Sequence, residues 1–222
     1  MNANVTIPTR PVRKFLPNDL VIDSWSKLEP FFEDLRDREI GSSEDLDQWL
    51  KDRSELEAVL EEDAGWRYIK MTIDTTDEDL SELYTFFVTE IHPKTAPFDD
   101  QYNRKFKESP YADGLSGKEF EIYRRGIKKA IELFREANIE LSAKATQEAQ
   151  KYGTISGAQT IELNGETLTM QQASKELKST DREHRKMVFE MMVNRRLEDT
   201  GQFDELFESL RDLRHQMALN AG

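Results

Sequence analysis

The chain is predicted to be mostly α-helical, a multi-helix array with one small β-hairpin at about residues 159–169. Three observations carry that expectation. Apolar residues recur every three or four positions along nearly every segment. A single stretch, Thr160 to Thr169, switches to strict alternation around Asn164-Gly165. The composition is 37% hydrophobic and 34% charged, with aromatics kept at 9%. That balance, with a mean hydropathy of −0.74, suits exposed amphipathic helices better than a thick buried sheet.

At 222 residues the chain is long enough for one compact domain or two small ones. Residues 1–18 hold Pro8, Pro11 and Pro17 and read as an extended arm in which Val12, Phe15 and Leu16 can dock. Residues 19–222 read as one helical domain. Ile22, Trp25, Leu28, Phe32 and Leu35 share a helix face, and Gly41 is the expected stop. Ser42-Ser43-Glu44-Asp45 opens the next helix with capping-box spacing. Leu46, Trp49, Leu50, Leu56 and Leu60 continue the apolar stripe. Asp74 to Glu78 starts another helix, carried by Leu80, Leu83, Tyr84, Phe87, Val88 and Ile91 and ended by His92-Pro93, because a residue before proline is pushed out of helical geometry.

Pro97 and Pro110 bracket a shorter helical piece with Phe98, Tyr102 and Phe106. Ser116 and Glu119 open a helix buried through Phe120, Tyr123, Ile127, Ile131 and Phe134, with Asn138 at its end. A further helix covers about 142–151, closed by Gly153. The hairpin register follows from a two-residue turn, with Leu163 facing Glu166 and Ile161 facing Leu168. An isolated hairpin is marginal in water, so it must lie on something. Thr169 with Gln172, and Thr180 with Glu183, open short helices. The last stripe, Phe203, Leu206, Phe207, Leu210, Leu213 and Met217, runs almost to Gly222, which reads more as a cut than as a designed terminus.

Charge and residue usage exclude several functions. The formal net charge is −13, a field that opposes binding to phosphate backbones and anionic lipid, so neither nucleic acid nor membrane is an expected partner. Without cysteine there are no disulfides and no thiolate metal sites. No run approaches a membrane span of ~20 apolar residues. Residues 1–14 lack the apolar core of a secretory signal, which makes cytoplasm the default compartment. His92, His184 and His215 have no second histidine nearby and read as surface or capping residues, not ligands. No Gly-x-Ser-x-Gly elbow or phosphate-binding glycine loop is present. Glu55, Glu57, Glu61 and Glu62 read as a solvated helix face, with acid–base work as the sharper alternative. Arg182, Arg185, Lys186, Arg195 and Arg196 lie among Asp181, Glu183 and Glu190 at helical ion-pair spacing, with a basic wall for an acidic ligand as the minority reading. The tryptophans Trp25, Trp49 and Trp66 are expected in the core. No catalytic, cofactor-binding or metal-binding residue is assigned.

Two phrases carry a family resemblance. Asp52-Arg53-Ser54-Glu55-Leu56-Glu57-Ala58 leads to Trp66-Arg67-Tyr68-Ile69, and Leu133 to Leu141 reads Leu-Phe-Arg-Glu-Ala-Asn-Ile-Glu-Leu. With Lys151-Tyr152-Gly153-Thr154, Asp181-Arg182-Glu183-His184-Arg185 and Leu213 to Gly222, in that order, they make the chain from about residue 25 onward resemble the N-terminal half of the oligoendopeptidase F family of zinc peptidases. That resemblance implies a largely helical fold and a place in the wall of a substrate channel that admits short peptides. It implies zinc in a parent enzyme, with a missing C-terminal catalytic domain as partner. The zinc signature His-Glu-x-x-His occurs nowhere in the chain, so the resemblance places the chemistry outside it. A stand-alone acidic helical module that binds another protein is the rival expectation.

Overall fold

Leu28, Phe32 and Leu35 lie three and four residues apart, and the helix they define, α1 (Trp25–Asp37), buries all three. The structure is a computed structural model that describes residues 11–222; the predicted arm before Pro11 lies outside the described residues. Among the described residues, α1 is followed by α2 (Ser43–Ile73), α3 (Glu78–Phe86), a π-helical turn (Phe87–Ile91) and α4 (His92–Glu108). Then come a 3₁₀ turn (Ala112–Gly114), α5 (Lys118–Leu133), α6 (Ala137–Gly157), β1 (Thr160–Leu163), β2 (Glu166–Thr169), α7 (Met170–Glu176), α8 (Arg182–Glu198) and α9 (Thr200–Ala221). The chain divides into two compact units. One holds residues up to Trp66 with Lys94–Leu133, the other Arg67–Pro93 with Phe134–Gly222.

In the first unit the core is aromatic. Phe32 packs on Trp25, Phe98 and Tyr102, and Trp49 meets Tyr102 edge-on at 5.8 Å. The last carbonyls of α1 have no intrahelical donors, and other helices supply Leu35 and Arg36 while adding a second donor to Phe32. Tyr102 donates to the Phe32 carbonyl at 2.7 Å and Trp49 Nε1 to the Leu35 carbonyl at 2.8 Å. The Lys105 ammonium donates to the carbonyls of Leu35, Arg36 and Arg38. α1 stops at Asp37, ahead of the expected Gly41. Ser42 accepts from the Asp45 amide as predicted, while Asp45 reaches back one residue further, to the Gly41 amide.

The arm is held by one side chain. The Glu55 carboxylate accepts from the backbone N–H groups of Lys14, Phe15 and Leu16 at 2.8–2.9 Å. Leu16 is buried, Phe15 packs edge-on against Phe31, and the Arg38 guanidinium lies over the Phe15 ring. Val12 stays exposed. Glu55 is therefore not part of a solvated face, as its sequence context suggests. Burial raises its pKa, but the three N–H bonds, with Arg13 nearby, outweigh burial and hold it below the usual glutamate range. A carboxyl with a depressed folded-state pKa stabilises above its unfolded value of about 4.3 and loses that contribution as pH falls through the folded value. Replacing Glu55 by Gln should weaken this anchor by about 1–3 kcal/mol. Limited trypsin digestion at neutral pH should then cut after Arg13 or Lys14 faster than in the parent. Equal cutting rates would mean that Leu16 burial alone holds the arm.

His92-Pro93 does not stop the chain. The predicted helix end is replaced by the π turn, in which the His92 N–H donates to the Phe87 carbonyl, and α4 continues to Glu108 with Pro97 inside it. Proline lacks an N–H and its ring crowds the preceding turn. A widened turn accommodates that change without ending the helix. Asp77 caps α3 by accepting from the Leu80 amide, as its position suggests.

In the second unit α6 and α9 run antiparallel. Asn138 lies near Met217, Glu148 near Ser209, and Tyr152 against Phe203. Asn138 does not end α5, which stops at Leu133. It sits in the first turn of α6, where its amide donates to the Met217 carbonyl and accepts from Asn220, while Arg135 donates to the Ala221 carbonyl. Gly153 lies inside α6, not at its end. The last stripe packs as an amphipathic face: Leu206 is buried, Phe203, Leu210, Leu213 and Met217 half-buried, and Phe207 exposed.

The hairpin has the predicted register, Leu163 with Glu166 and Ile161 with Leu168. Asn164 and Gly165 both take positive φ, 53° and 84°, as a two-residue turn that matches strand twist requires. Ile161 and Leu163 bury against Ala173 of α7 and Val188 and Met192 of α8. Thr169 and Gln172 form a full capping box at the start of α7. α8 is capped by Asp181, one residue after the expected Thr180; its carboxylate accepts from the amides of Glu183 and His184.

Candidate functional site

A groove of about 210 Å³ opens in the second unit among the last turns of α2, the start of α3 and the middle of α6. Tyr68 and Tyr84 pack ring to ring at 5.6 Å along one side. Thr72, Ser81, Thr146 and Thr154 supply hydroxyls, and no charged residue lines it. Gly153 belongs to its wall, and a Cβ there would meet open space. At Gly157, by contrast, a Cβ would come within 3.3 Å of Thr75 Oγ1, so glycine lets α6 approach the α2–α3 connection closely.

Gln150 also lines the groove, and its Nε2 is buried with no hydrogen-bond partner. An unmet buried amide donor of this kind costs about 1–3 kcal/mol. Tyr152 is shared with a shallower depression of about 500 Å³ lined by Gln159, Thr169, Gln171 and Arg196. Hydroxyls, amides and tyrosine rings without a titrating acid or base can hold an amide backbone. No acid or base lines the groove to activate one of these hydroxyls as a nucleophile.

The sequence-flagged residues fall elsewhere or into structural roles. Glu57 accepts from Arg53 Nε at 2.6 Å, and Glu61 and Glu62 are exposed. In the basic cluster, Lys186 pairs with Glu190 at 3.9 Å, as the helical spacing predicts, and Arg195 pairs with Glu198 and Asp199, acids the sequence reading did not single out. Arg185 instead donates to the Ser179 carbonyl, and Arg196 faces the shallower depression. Trp66 departs from the expected core position and is 55% exposed. It shares a stripe of α2 with Ile69 and Ile73, which are also exposed.

His184 Nε2 bonds Glu176 at 3.0 Å, His215 is exposed on α9 and His92 begins α4. Among the described residues no three His, Asp or Glu side chains are placed to hold a metal. The residues present do not fit a zinc site, and no step of peptide hydrolysis can be derived from them.

Sequence reading missed the Glu55 clamp, the Lys105 cap and the buried Gln150 amide. Only the clamp had a local signal, a glutamate next to the buried Leu56.

The phrase Asp52-Arg53-Ser54-Glu55-Leu56 turns out to be a packing node. Asp52 accepts from Arg38 and Gln48, the Arg53 guanidinium lies over the Trp49 and Tyr102 rings, and Glu55 holds the arm. The second phrase, at Arg135 and Asn138, ties down the end of α9.

Comparison with solved structures gives three neighbours. One, designated oligoendopeptidase F, is 24% identical with a TM-score of 0.81, over 89% of this chain and 35% of that one. PZ peptidase A with inhibitor 2 is 23% identical with a TM-score of 0.81, over 90% and 36%. A protein designated oligoendopeptidase F from Bacillus anthracis str. Ames is 18% identical with a TM-score of 0.77, over 90% and 37%. These likenesses show a shared fold, and the chain spans little more than a third of each neighbour. No curated protein sequence matches it. The family model described as Peptidase M3 N-terminal domain matches residues 19–134, just over half of the chain. The helical array, the packing node at Asp52–Leu56 and this match agree, and the chain belongs to the Peptidase M3 N-terminal domain family.

Proposed function

We propose that this chain serves as the N-terminal, channel-wall region of a zinc-dependent oligoendopeptidase that hydrolyses short peptides in the cytoplasm, and that residues 19–222 act there as one functional domain. The family match over residues 19–134 is the observation that carries the reading. The uncharged groove of hydroxyls, amides and tyrosines supports contact with peptide backbone, not catalysis. Zinc and its catalytic glutamate would come from the remainder of such an enzyme, which would be the principal partner of this region. Among the described residues no helix is long and apolar enough to cross a membrane.

A second reading, a helical module that binds another protein, is favoured by the exposed Trp66, Ile69 and Ile73 stripe on α2. The reading frame beyond the Gly222 codon separates the two. An open frame with His-Glu-x-x-His in the next few hundred codons is the expected result. A stop codon directly after Gly222 would overturn the channel-wall reading and favour the interaction module. On either outcome the isolated chain, with zinc and a fluorogenic short peptide, should show no chelator-sensitive turnover.

A further inference from the structure

The first unit contains a pocket of about 200 Å³ formed by α4, the 3₁₀ turn and α5. Its floor is apolar: Phe106 of α4, Ala112 of the 3₁₀ turn and Ile127 of α5 are 1%, 5% and 5% exposed. Its rim is basic, with Lys107, Arg124 and Lys128 against the single carboxylate of Asp113. In a chain of net charge −13, three cations around one small apolar cavity are a local inversion of the field.

The cations are also available. Nearby Arg104 and Lys129 are engaged by Asp100 and Glu132. Lys107 and Lys128 make no direct ion pair among the described residues, although Lys128 stands behind Lys129 in holding the Glu132 carboxyl below its usual range. Arg124 Nη1 donates to the carbonyls of Ala112 and Leu115, both at 3.0 Å. Those bonds fix the guanidinium at the pocket mouth without neutralising its charge. They also tie it to the turn that carries Ala112.

From this arrangement we infer that the pocket binds an organic carboxylate borne on a compact apolar body, with the apolar group on Phe106, Ala112 and Ile127 and the carboxylate at Lys107, Arg124 and Lys128. A branched side chain next to a free carboxylate fits that description, whether it is the C-terminal residue of a peptide or a free branched-chain acid. A hydrophobic floor with a few convergent polar groups is the usual make-up of a small-ligand site. The charged rim supplies orientation, and its contribution weakens with salt. The inference stands apart from the peptidase reading, because it uses none of the groove residues and requires no catalytic partner.

The test is an amide chemical-shift titration of the whole chain with acetyl-Ala-Ala-Leu, its C-terminal amide and 4-methylpentanoate. The expected result is saturable shifts at residues 106–128 with the free-acid peptide or the free acid, and none with the amide. The better binder of the two acids identifies the source. The double variant Lys107→Gln, Lys128→Gln changes two exposed side chains, and its melting temperature checks the fold. It should bind the acid at least five-fold more weakly, and 0.5 M salt should weaken the parent similarly. Equal binding of the amide, shifts outside the pocket, no saturable shifts, or unchanged affinity in a folded double variant would each overturn the site.

Discussion

Replacing Lys105 by methionine should destabilise the first unit by about 2–4 kcal/mol, the cost expected when hydrogen bonds from a charged group to partly buried acceptors are removed. The Lys105 ammonium sits where α1 ends and donates to the carbonyls of Leu35, Arg36 and Arg38. Those carbonyls have no helical donors of their own, and the negative end of the α1 dipole adds to the attraction. Burial lowers the Lys105 pKa, and the nearby Arg38 acts in the same direction. That desolvation is tolerable only because the three acceptors replace water. Trp49 keeps its bond to Leu35 in the variant, so the loss falls mainly on Arg36 and Arg38. Arginine should restore only part of the stability, since a planar guanidinium cannot converge on three carbonyls as a tetrahedral ammonium does. Trp25, Trp49 and Trp66, the only tryptophans in the sequence, all lie in the first unit. Tryptophan fluorescence during urea unfolding therefore reports this unit, whatever the second unit does. A change under about 0.5 kcal/mol would mean that water replaces the ammonium without cost.

What was legible in the sequence is what is decided locally. The Asn164-Gly165 turn needs two positive φ values, and only that pair in the chain offers them between alternating apolar residues, so strand register followed at once. Thr169 with Gln172 is a contact three residues long, and it formed as read. The failures are places where a distant residue overrides a local rule. Pro93 and Pro97 signal helix ends, yet the π turn and the buried Ile91, Thr95 and Tyr102 keep the chain helical through them. Glu55 looks like one carboxylate among many on an acidic helix. Its role depends on a backbone some forty residues earlier, which no spacing encodes. Trp66 follows the apolar period of α2 but meets no partner among the described residues that covers it. The groove in the second unit was not legible because Tyr68, Tyr84 and Gln150 come from three helices. The family phrases were legible as words, and only the structure explains them, as the node around Asp52 and the tether at Arg135 and Asn138.

Converting Asp99 to asparagine should make the first unit more stable at pH 7.5, with about half of that gain left at pH 5 and none below about pH 4. Asp99 lies on α4. Burial pushes its pKa up to about 6, Arg53 acts against that shift, and Glu57 adds to it. Arg53 does not cancel the burial cost because its Nε is taken by Glu57 and its guanidinium lies over the Trp49 and Tyr102 rings. Its Nη1 is buried without a hydrogen-bond partner. A carboxyl with a raised folded-state pKa binds more protons folded than unfolded between about 3.9 and 6. Stability therefore rises as pH falls through about 6 and levels off near the unfolded value. At pH 7.5 the ionised form costs on the order of 3 kcal/mol, which an uncharged isostere removes. This sign is opposite to that of Glu55, whose contribution is lost on acidification. The parent's profile should thus show a gain from pH 7 to 5 followed by a loss below about 4. Asp99→Asn should abolish the gain and keep the acid loss, and Glu55→Gln should do the reverse. Tryptophan-detected urea midpoints across pH 3.5–8 read both. If Asp99→Asn destabilises equally at pH 5 and 7.5, the ionised carboxylate is a partner that Arg53 requires, and the raised pKa is wrong in sign.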